Sequence, residues 1–236
     1  MKKLKARYKM NPVKEFSRFA EDYQSYKIIQ SRVAKELVAL IDSKPKNILD
    51  IGAGSGEIYK NIDWEFDRFY ALDKSEKMLN LHPDFKTQKL LCDFNNYECY
   101  KNLKNRKIDF IFSSSSLQWA ENLDNIFENI SFLSKKIAFA IFTDKTFETL
   151  HKTAGIKSPI FSGEEILNSA KKFFMINYRF KSYRLFFKDS RSMFSYIKRS
   201  GVSAGERRLS FKETKRLFRE YPLKYLEFEV LFIWTE

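Results

Sequence analysis

Residues 49 to 57 read Leu-Asp-Ile-Gly-Ala-Gly-Ser-Gly-Glu, and an acidic residue, Asp73, closes the next apolar run, Phe69-Tyr-Ala-Leu72. Glycines at 52, 54 and 56 permit a tight turn with positive φ, and a backbone without Cβ lets a ligand lie against it. A carboxylate at the tip of the neighbouring strand can accept hydrogen bonds from both hydroxyls of a ribose. Together these residues describe a nucleotide-sized site.

The kind of nucleotide follows from what the loop lacks. Its spacing, Gly52-x-Gly54-x-Gly56, is not the Gly-x-Gly-x-x-Gly of dinucleotide enzymes, and no Gly-Lys-Ser/Thr phosphate loop occurs. Residues 49–57 contain no Lys or Arg to meet a phosphate, and carry Asp50 and Glu57 instead. Acids favour a cationic or zwitterionic head over a pyrophosphate. S-adenosylmethionine, with its ribose, adenine, sulfonium and amino-acid tail, fits that demand.

These residues need strands and helices to hold them. Asn47 to Ile51, Arg68 to Leu72, Thr87 to Cys92, Ile108 to Phe112 and Ile137 to Phe142 read as short buried strands. Helical segments separate them: one opens after the glycine turn, another spans Ser75 to Asn80 with Ser75 at its N-cap, and a third spans Asn122 to Leu133. Alternation of this kind predicts a mostly parallel sheet with helices on both faces. Upstream, Phe19, Tyr23, Tyr26, Ile29, Val33, Leu37 and Leu40 recur at helical spacing and predict a helical cap over residues 1–41. Downstream, Ser162 starts a helix, Phe173 to Phe187 reads as a long strand, and Tyr225 to Trp234 as the last strand. Between those strands, helices over Asp189–Arg199 and Ser210–Glu220 form an insertion, residues 188–220, within a single domain of residues 1–236.

The net charge of +13 is unevenly placed. Residues 1–14 hold six Lys or Arg and no acid, and residues 181–219 hold twelve against three acids. The remainder is near neutral, so the basic insertion is either a solvated face or a docking surface for an acidic partner. The longest apolar stretch, Ile137 to Phe142, is far too short to span a bilayer, and no apolar segment of a secretory signal follows the basic N-terminus. Two cysteines, Cys92 and Cys99, are too few for a disulfide framework, and a reducing cytoplasm is the simplest compartment. His82 and His151 are isolated, which argues against a metal site.

The run at 49–57 resembles motif I of class I S-adenosylmethionine-dependent methyltransferases, which implies their Rossmann-like fold with a seven-stranded sheet. In that family Gly52, Gly54 and Gly56 would border the methionine moiety and Asp50 would help hold its amino group. Asp73 matches the ribose-binding acid and Asp93 the residue that meets the adenine amine; Ser113 joins this cofactor set. The plain alternatives are a helix cap for Asp73 and a turn for Asp93.

The acceptor is read from other segments. Ser113-Ser-Ser-Ser-Leu-Gln-Trp119 lacks the Asn/Asp-Pro-Pro-aromatic signature of enzymes that methylate base amines. It is similar instead to the Ser-Asn-x-x-x-Gln-Trp segment of the malonyl-[acyl-carrier protein] O-methyltransferases of biotin synthesis, with Ser114 where Asn is frequent. Trans-aconitate methyltransferases have a related segment. Phe16-x-Arg18-x-Ala20-x-x-Tyr23 followed by Gln30, Phe142-Thr143 with Glu148-x-Leu150-His151, and Ile197-Lys198-x-x-Gly201 with Tyr221-Pro-Leu223-x-Tyr225 extend the resemblance over roughly residues 14 to 236. One departure is Val202, where a small residue and then Thr or Asn is usual.

The resemblance implies methyl transfer to the free carboxylate of a malonyl thioester, leaving S-adenosylhomocysteine and needing no metal. Tyr23 and Gln30 would close over the cofactor; Gln118, Trp119, Lys198, Arg199 and Gly201 would meet the substrate. A carboxylate with a pKa of about 4 is ionised at neutral pH, so no general base is required. Catalysis is then alignment and removal of water. The partner implied is an acidic acyl-carrier protein carrying malonyl, or malonyl-coenzyme A, with no stable nucleic-acid complex and no membrane. Trp119 packed simply in the core, and Lys198 and Arg199 at a solvent-facing helix end, are the plain alternatives. Against this reading stand a methyltransferase of another small carboxylic acid, an RNA methyltransferase motivated by the charge, and a silent binding subunit that kept the fold.

Overall fold

The computed structural model describes residues 27–199 and 211–236. Tyr23, Gly201, Val202 and the rest of the expected cap before residue 27 lie outside the described residues, as do the side chains of Lys198 and Arg199.

Seven strands form one sheet: β1 Asn47–Ile51, β2 Arg68–Asp73, β3 Thr87–Leu91, β4 Phe110–Ser114, β5 Ile137–Phe142, β6 Asn177–Phe186 and β7 Tyr225–Trp234. Their order is β3-β2-β1-β4-β5-β7-β6. The pairings among β1 to β5 are parallel, and β7 runs antiparallel to both β5 and β6. The chain winds outward from β1 to β3, then returns to place β4 on the other side of β1. Loops at the two ends of that reversal diverge and leave a crevice at the carboxyl ends of β1 and β4, where such sheets bind ligands.

Side-chain alternation splits the core into two layers. Phe110, Phe112, Ala138, Ala140 and Phe142 face helices α1 Ile28–Val38, α6 Glu148–Ala154, α8 Ser190–Arg199 and α9 Phe211–Glu220. Ile111, Ile137, Phe139 and Ile141 face α5 Leu123–Leu133 and α7 Gly163–Ala170. All six residues of β5 are buried, as a central strand covered on both faces requires. Shorter helices α2 Glu57–Asn61, α3 Glu76–Asn80 and α4 Tyr97–Lys101 follow β1, β2 and β3.

The helix starts follow local chemistry. Ser75 caps α3, Asn122 caps α5 and Ser162 forms a reciprocal capping box with Glu165 on α7. The sequence reading places the sixth strand from Phe173, four residues too early. Phe174 is instead buried in the turn after α7, edge-on to Phe127 and Phe139, and that packing holds the turn before β6 begins. The fourth strand is displaced by two residues toward the serine run, and α4 and α6 carry no strong sequence period. Cys92 and Cys99 are joined in a disulfide with Cα atoms 6.0 Å apart, a pairing the sequence reading did not expect. It ties the end of β3 to α4 across the loop that carries Asp93. No helix among the described residues is long and apolar enough to cross a membrane.

Candidate cofactor site

The glycine turn bends sharply at the tip of β1. The amides of Gly52 and Ala53 both donate to Leu72 O on β2, at 2.8 and 3.0 Å. Gly52, Gly54 and Gly56 have φ of +74°, +53° and +85°, the left-handed region that glycine enters without strain. Their reasons differ. A Cβ on Gly52 would collide with Ser116, and one on Gly56 would lie 2.8 Å from Pro83 Cδ and 3.0 Å from His82. At Gly54 a Cβ would meet no clash, its nearest neighbour being Met78 Cε at an ordinary 3.5 Å. Two of the three glycines therefore serve the packing of the loop, and one leaves room for a ligand.

Ser116 cannot easily move aside. Its hydroxyl and that of Ser113 lie 2.7 Å apart, and each donates to Ile51 O at 2.8 Å. A Gly52→Ala variant is expected to lose roughly 2–4 kcal/mol of stability, from overpacking plus the left-handed backbone. Adding Ser116→Gly should recover the collision part and leave the backbone part, measured by denaturant unfolding of the single and double variants.

An open cavity sits above this turn. Its walls include Asp50 and Gly52 to Ser55 from the β1 side, Asp73 to Ser75 from β2, Phe94 after β3, Ser114 at the end of β4 with Ser115, Ser116 and Trp119 after it, and Gln30 from α1. Asp73 accepts from Gly54 N at 2.9 Å through Oδ2 and from Ser75 N at 2.8 Å through Oδ1. Burial raises its pKa and these two amides oppose the shift. The carboxylate thus holds the loop and still offers lone pairs to the cavity.

Asp50 is buried, and its Oδ1 has no hydrogen-bond partner among the described residues. Burial, and then the charge on Asp73, push its pKa well above the ordinary carboxylate value. Gln30 Oε1, Ser114 Oγ, Ser115 Oγ and Trp119 Nε1 are likewise buried without a partner among the described residues, and all four residues line the cavity. Buried polar groups left this way are costly, so their convergence on one cavity marks a polar ligand site. An unpaired acid beside Asp73 suits a ligand carrying positive charge. S-adenosylmethionine fits this donor and acceptor set.

Other residues named from the sequence sit differently. Ser113 is fully buried beneath the turn and outside the cavity wall. Asp93 makes a local turn, accepting from Asn95 N at 3.0 Å and Asn95 Nδ2 at 3.1 Å, and pairs with Lys74 at 3.4 Å; its neighbour Phe94 forms the wall. Gln118 turns away from the cavity and donates from Nε2 to Ser115 O at 2.7 Å. Ser115 has φ +60°, uncommon for a residue with a side chain, so Gln118 props a strained serine turn. His82 is buried against Tyr59 and Phe69, and its Nδ1 lies 2.8 Å from Pro83 O, which gives it a packing role behind Gly56. Lys198 and Arg199 close α8. Among the described residues no cluster of three His, Cys, Asp or Glu could hold a metal ion.

The sequence reading missed one element of the site. Lys27, next to α1, reaches the loop and pairs with Glu57, a contact across thirty residues that no local signal announces.

The fold is the architecture of class I S-adenosylmethionine methyltransferases, and residues 49–142 match the family model of the methyltransferase domain. Among curated proteins, the chain is 28% identical over 144 residues to malonyl-[acyl-carrier protein] O-methyltransferase of Acetivibrio thermocellus, covering 58% of this chain and 50% of that one. It is 30% identical over 147 residues to malonyl-[acyl-carrier protein] O-methyltransferase 2 of Ilyobacter polytropus, covering 59% and 57%. The chain thus spans about half the length of the curated relatives it matches, a shorter stretch than the motif resemblance suggests. Among solved structures, phosphoethanolamine N-methyltransferase 2 of Haemonchus contortus in complex with S-adenosyl-L-methionine superposes with a TM-score of 0.58 at 15% identity, covering 95% of this chain and 60% of that one. That likeness is one of fold.

Proposed function

We propose that this protein transfers the methyl group of S-adenosylmethionine to the free carboxylate of a malonyl thioester on an acyl-carrier protein, giving the methyl ester that starts pimeloyl and biotin synthesis. The observation that carries the reading is the pairing of a cavity whose acid Asp50, with Oδ1 unpartnered among the described residues, suits a cation, with sequence likeness to curated malonyl-[acyl-carrier protein] O-methyltransferases.

When bound, S-adenosylmethionine supplies a methyl group activated by a sulfonium. The chain's contribution is positioning. Asp73 holds the ribose, Asp50 balances the positive end, and Phe94 flanks the adenine. The Ser114, Ser115 and Trp119 donors on the β4 side receive the substrate carboxylate, which attacks as the anion and gives up no proton. Neutral donors suit this step. A tightly held cation would stabilise the carboxylate charge that disappears as the methyl moves, and so raise the barrier.

Docking falls to the insertion. Lys188, Arg191, Lys215, Arg216 and Arg219 are exposed on or beside α8 and α9, and acyl-carrier proteins are acidic as a class. Charge complementarity of this kind raises the rate of encounter and selects the partner. A carrier-protein substrate accords with the cytoplasm expected from the sequence, whereas the Cys92–Cys99 disulfide is of a kind uncommon there.

The test is methyl transfer from labelled S-adenosylmethionine to malonyl-carrier protein, malonyl-coenzyme A, trans-aconitate and bulk tRNA, supplied separately. Label in the malonyl thioesters, with the carrier protein preferred at low salt, is the expected result. Label confined to trans-aconitate or tRNA would overturn the reading.

A further inference from the structure

Cys92 and Cys99 are the two cysteines of the chain, and they are bonded to each other. Their Cα atoms are 6.0 Å apart, a span that a disulfide closes without moving the backbone. The bond closes a small loop in the wall of the cavity. Cys92 follows β3, and its amide donates to Asp73 O at 2.9 Å, which fastens that end of the loop to β2. Cys99 lies in α4 and is 3% exposed. Between them sits Phe94, 5% exposed, which supplies the cavity wall after β3.

Phe94 is held through its neighbours. Its carbonyl accepts from Tyr100 Oη at 2.7 Å, and Asn95 Oδ1 accepts from Glu121 N at 2.9 Å. Tyr100 belongs to α4, a helix of five residues, too short to persist on its own propensity. The position of α4 therefore decides the position of Phe94, and the disulfide ties α4 to the end of β3. Buried Tyr100 and Leu103 keep α4 attached to the core whether or not the disulfide is intact. Cys99 Sγ also lies 2.9 Å from Asp93 O; as a thiol it has a hydrogen to donate there, and as half of a disulfide it has none. Reduction thus exchanges a covalent tie for one weak hydrogen bond. The loop then samples more conformations, and a ligand that needs Phe94 in the wall must order it on binding.

We propose that Cys92–Cys99 is a site of thiol–disulfide exchange with a dithiol reductant, and that its redox state sets how firmly Phe94 closes the nucleoside end of the cofactor cavity. The proposal rests on the S-adenosylmethionine reading. Cys92 is half-buried beside the exposed Leu91, whereas Cys99 is buried, so an attacking thiolate reaches the Cys92 sulfur first. That attack joins the reductant to Cys92 and breaks the bond to Cys99, which leaves as a thiolate and takes up a proton. The second thiol of the reductant gives up its proton, attacks the mixed disulfide and releases Cys92, which is protonated in turn. Two electrons and two protons pass to the protein, and the reductant is left as a disulfide. Disulfides in reducing compartments are commonly transient and redox-sensing, which reconciles this bond with a carrier-protein substrate.

The experiment measures binding of S-adenosylhomocysteine and of 5′-methylthioadenosine, which share the nucleoside, by calorimetry on the full chain. The chain is used with its disulfide intact and after dithiothreitol, with free thiols counted by alkylation and mass spectrometry. Reduction should weaken both ligands by a similar factor, roughly fivefold, the low end of coupling between sites. By linkage, saturating S-adenosylhomocysteine should shift the exchange equilibrium in a glutathione buffer toward the protein disulfide by the same factor. The Cys92→Ser/Cys99→Ser variant should bind like the reduced chain and ignore dithiothreitol. Phe94→Ala should bind weakly in both states, with affinities within about twofold of each other, the scale of uncoupled changes. Two free thiols after equilibration with oxidised glutathione, unchanged affinity on reduction, or a redox difference that survives Phe94→Ala would each overturn the proposal while leaving the cofactor reading intact. A disulfide-bonded chain that binds neither ligand would overturn both.

Discussion

Replacing Asp73 by alanine is expected to weaken S-adenosylmethionine binding by roughly 10²- to 10⁴-fold, taking two hydrogen bonds to a charged group at about 1.5–3 kcal/mol each. Two of the lone-pair sites of this carboxylate are used by Gly54 N and Ser75 N, and the remainder face the cavity. The same two contacts mean that the fold also suffers, because the glycine turn and the start of α3 lose a shared acceptor. That loss of stability is expected to be about 1–3 kcal/mol, the cost of stranding buried amide donors. Asp73→Asn keeps one acceptor oxygen and should fall between wild type and alanine in both respects. Calorimetric binding and denaturant unfolding separate the two effects. Unchanged affinity in Asp73→Ala would place the ribose elsewhere.

Asp50→Asn is expected to do two opposite things: stabilise the ligand-free protein near neutral pH and weaken cofactor binding by about 2–5 kcal/mol, the cost of removing one partner of a buried charge pair. The sign follows from linkage. Burial, with Asp73 adding to it, places the folded-state pKa of Asp50 well above its unfolded value. Whatever stability this group contributes is present below the unfolded pKa and is lost as pH rises through the folded one. The wild-type ligand-free protein should therefore lose stability across that interval, and the Asn variant should not show that part of the loss. A bound sulfonium or ammonium favours the ionised form, so binding releases protons and wild-type affinity rises with pH over the same window. Calorimetry in buffers of different ionisation enthalpy reads that release directly. Equal proton release in wild type and Asp50→Asn would assign the titration to another group. Because Asp50 and Asp73 interact, Asp73→Asn should also shift the window to lower pH.

Much of this site was legible in short stretches of chain. Gly52, Gly54 and Gly56 announce left-handed backbone wherever they sit, since that preference belongs to the residue itself. Asp73 after Phe69 to Leu72 announces a carboxylate at a strand tip. The uninterrupted apolar run of β5 announces a strand covered on both faces. Ser75, Asn122 and Ser162 announce helix starts. These signals act over one to four residues, the range of backbone sterics and capping hydrogen bonds, so they survive without knowledge of the fold.

Other features depended on which surfaces meet. Phe173 and Phe174 look like strand residues, yet Phe174 is drawn into the layer formed by Phe127 and Phe139. Gln118 and Ser113 have the composition of ligand contacts, yet packing turns one toward Ser115 and the other beneath Ile51. Cys92 and Cys99 become partners because α4 folds back on the end of β3.

What the sequence by itself determined was the kind of site: a glycine turn, an acid on each of two neighbouring strands, and no cation within the loop. What only the tertiary structure decided was why each glycine is required, that Asp50 Oδ1 has no partner among the described residues, and that a cation, Lys27, arrives from the start of another helix. The physical reason is range. Backbone conformation is a local property, whereas burial, pKa and charge pairing are set by neighbours that only a folded chain brings together.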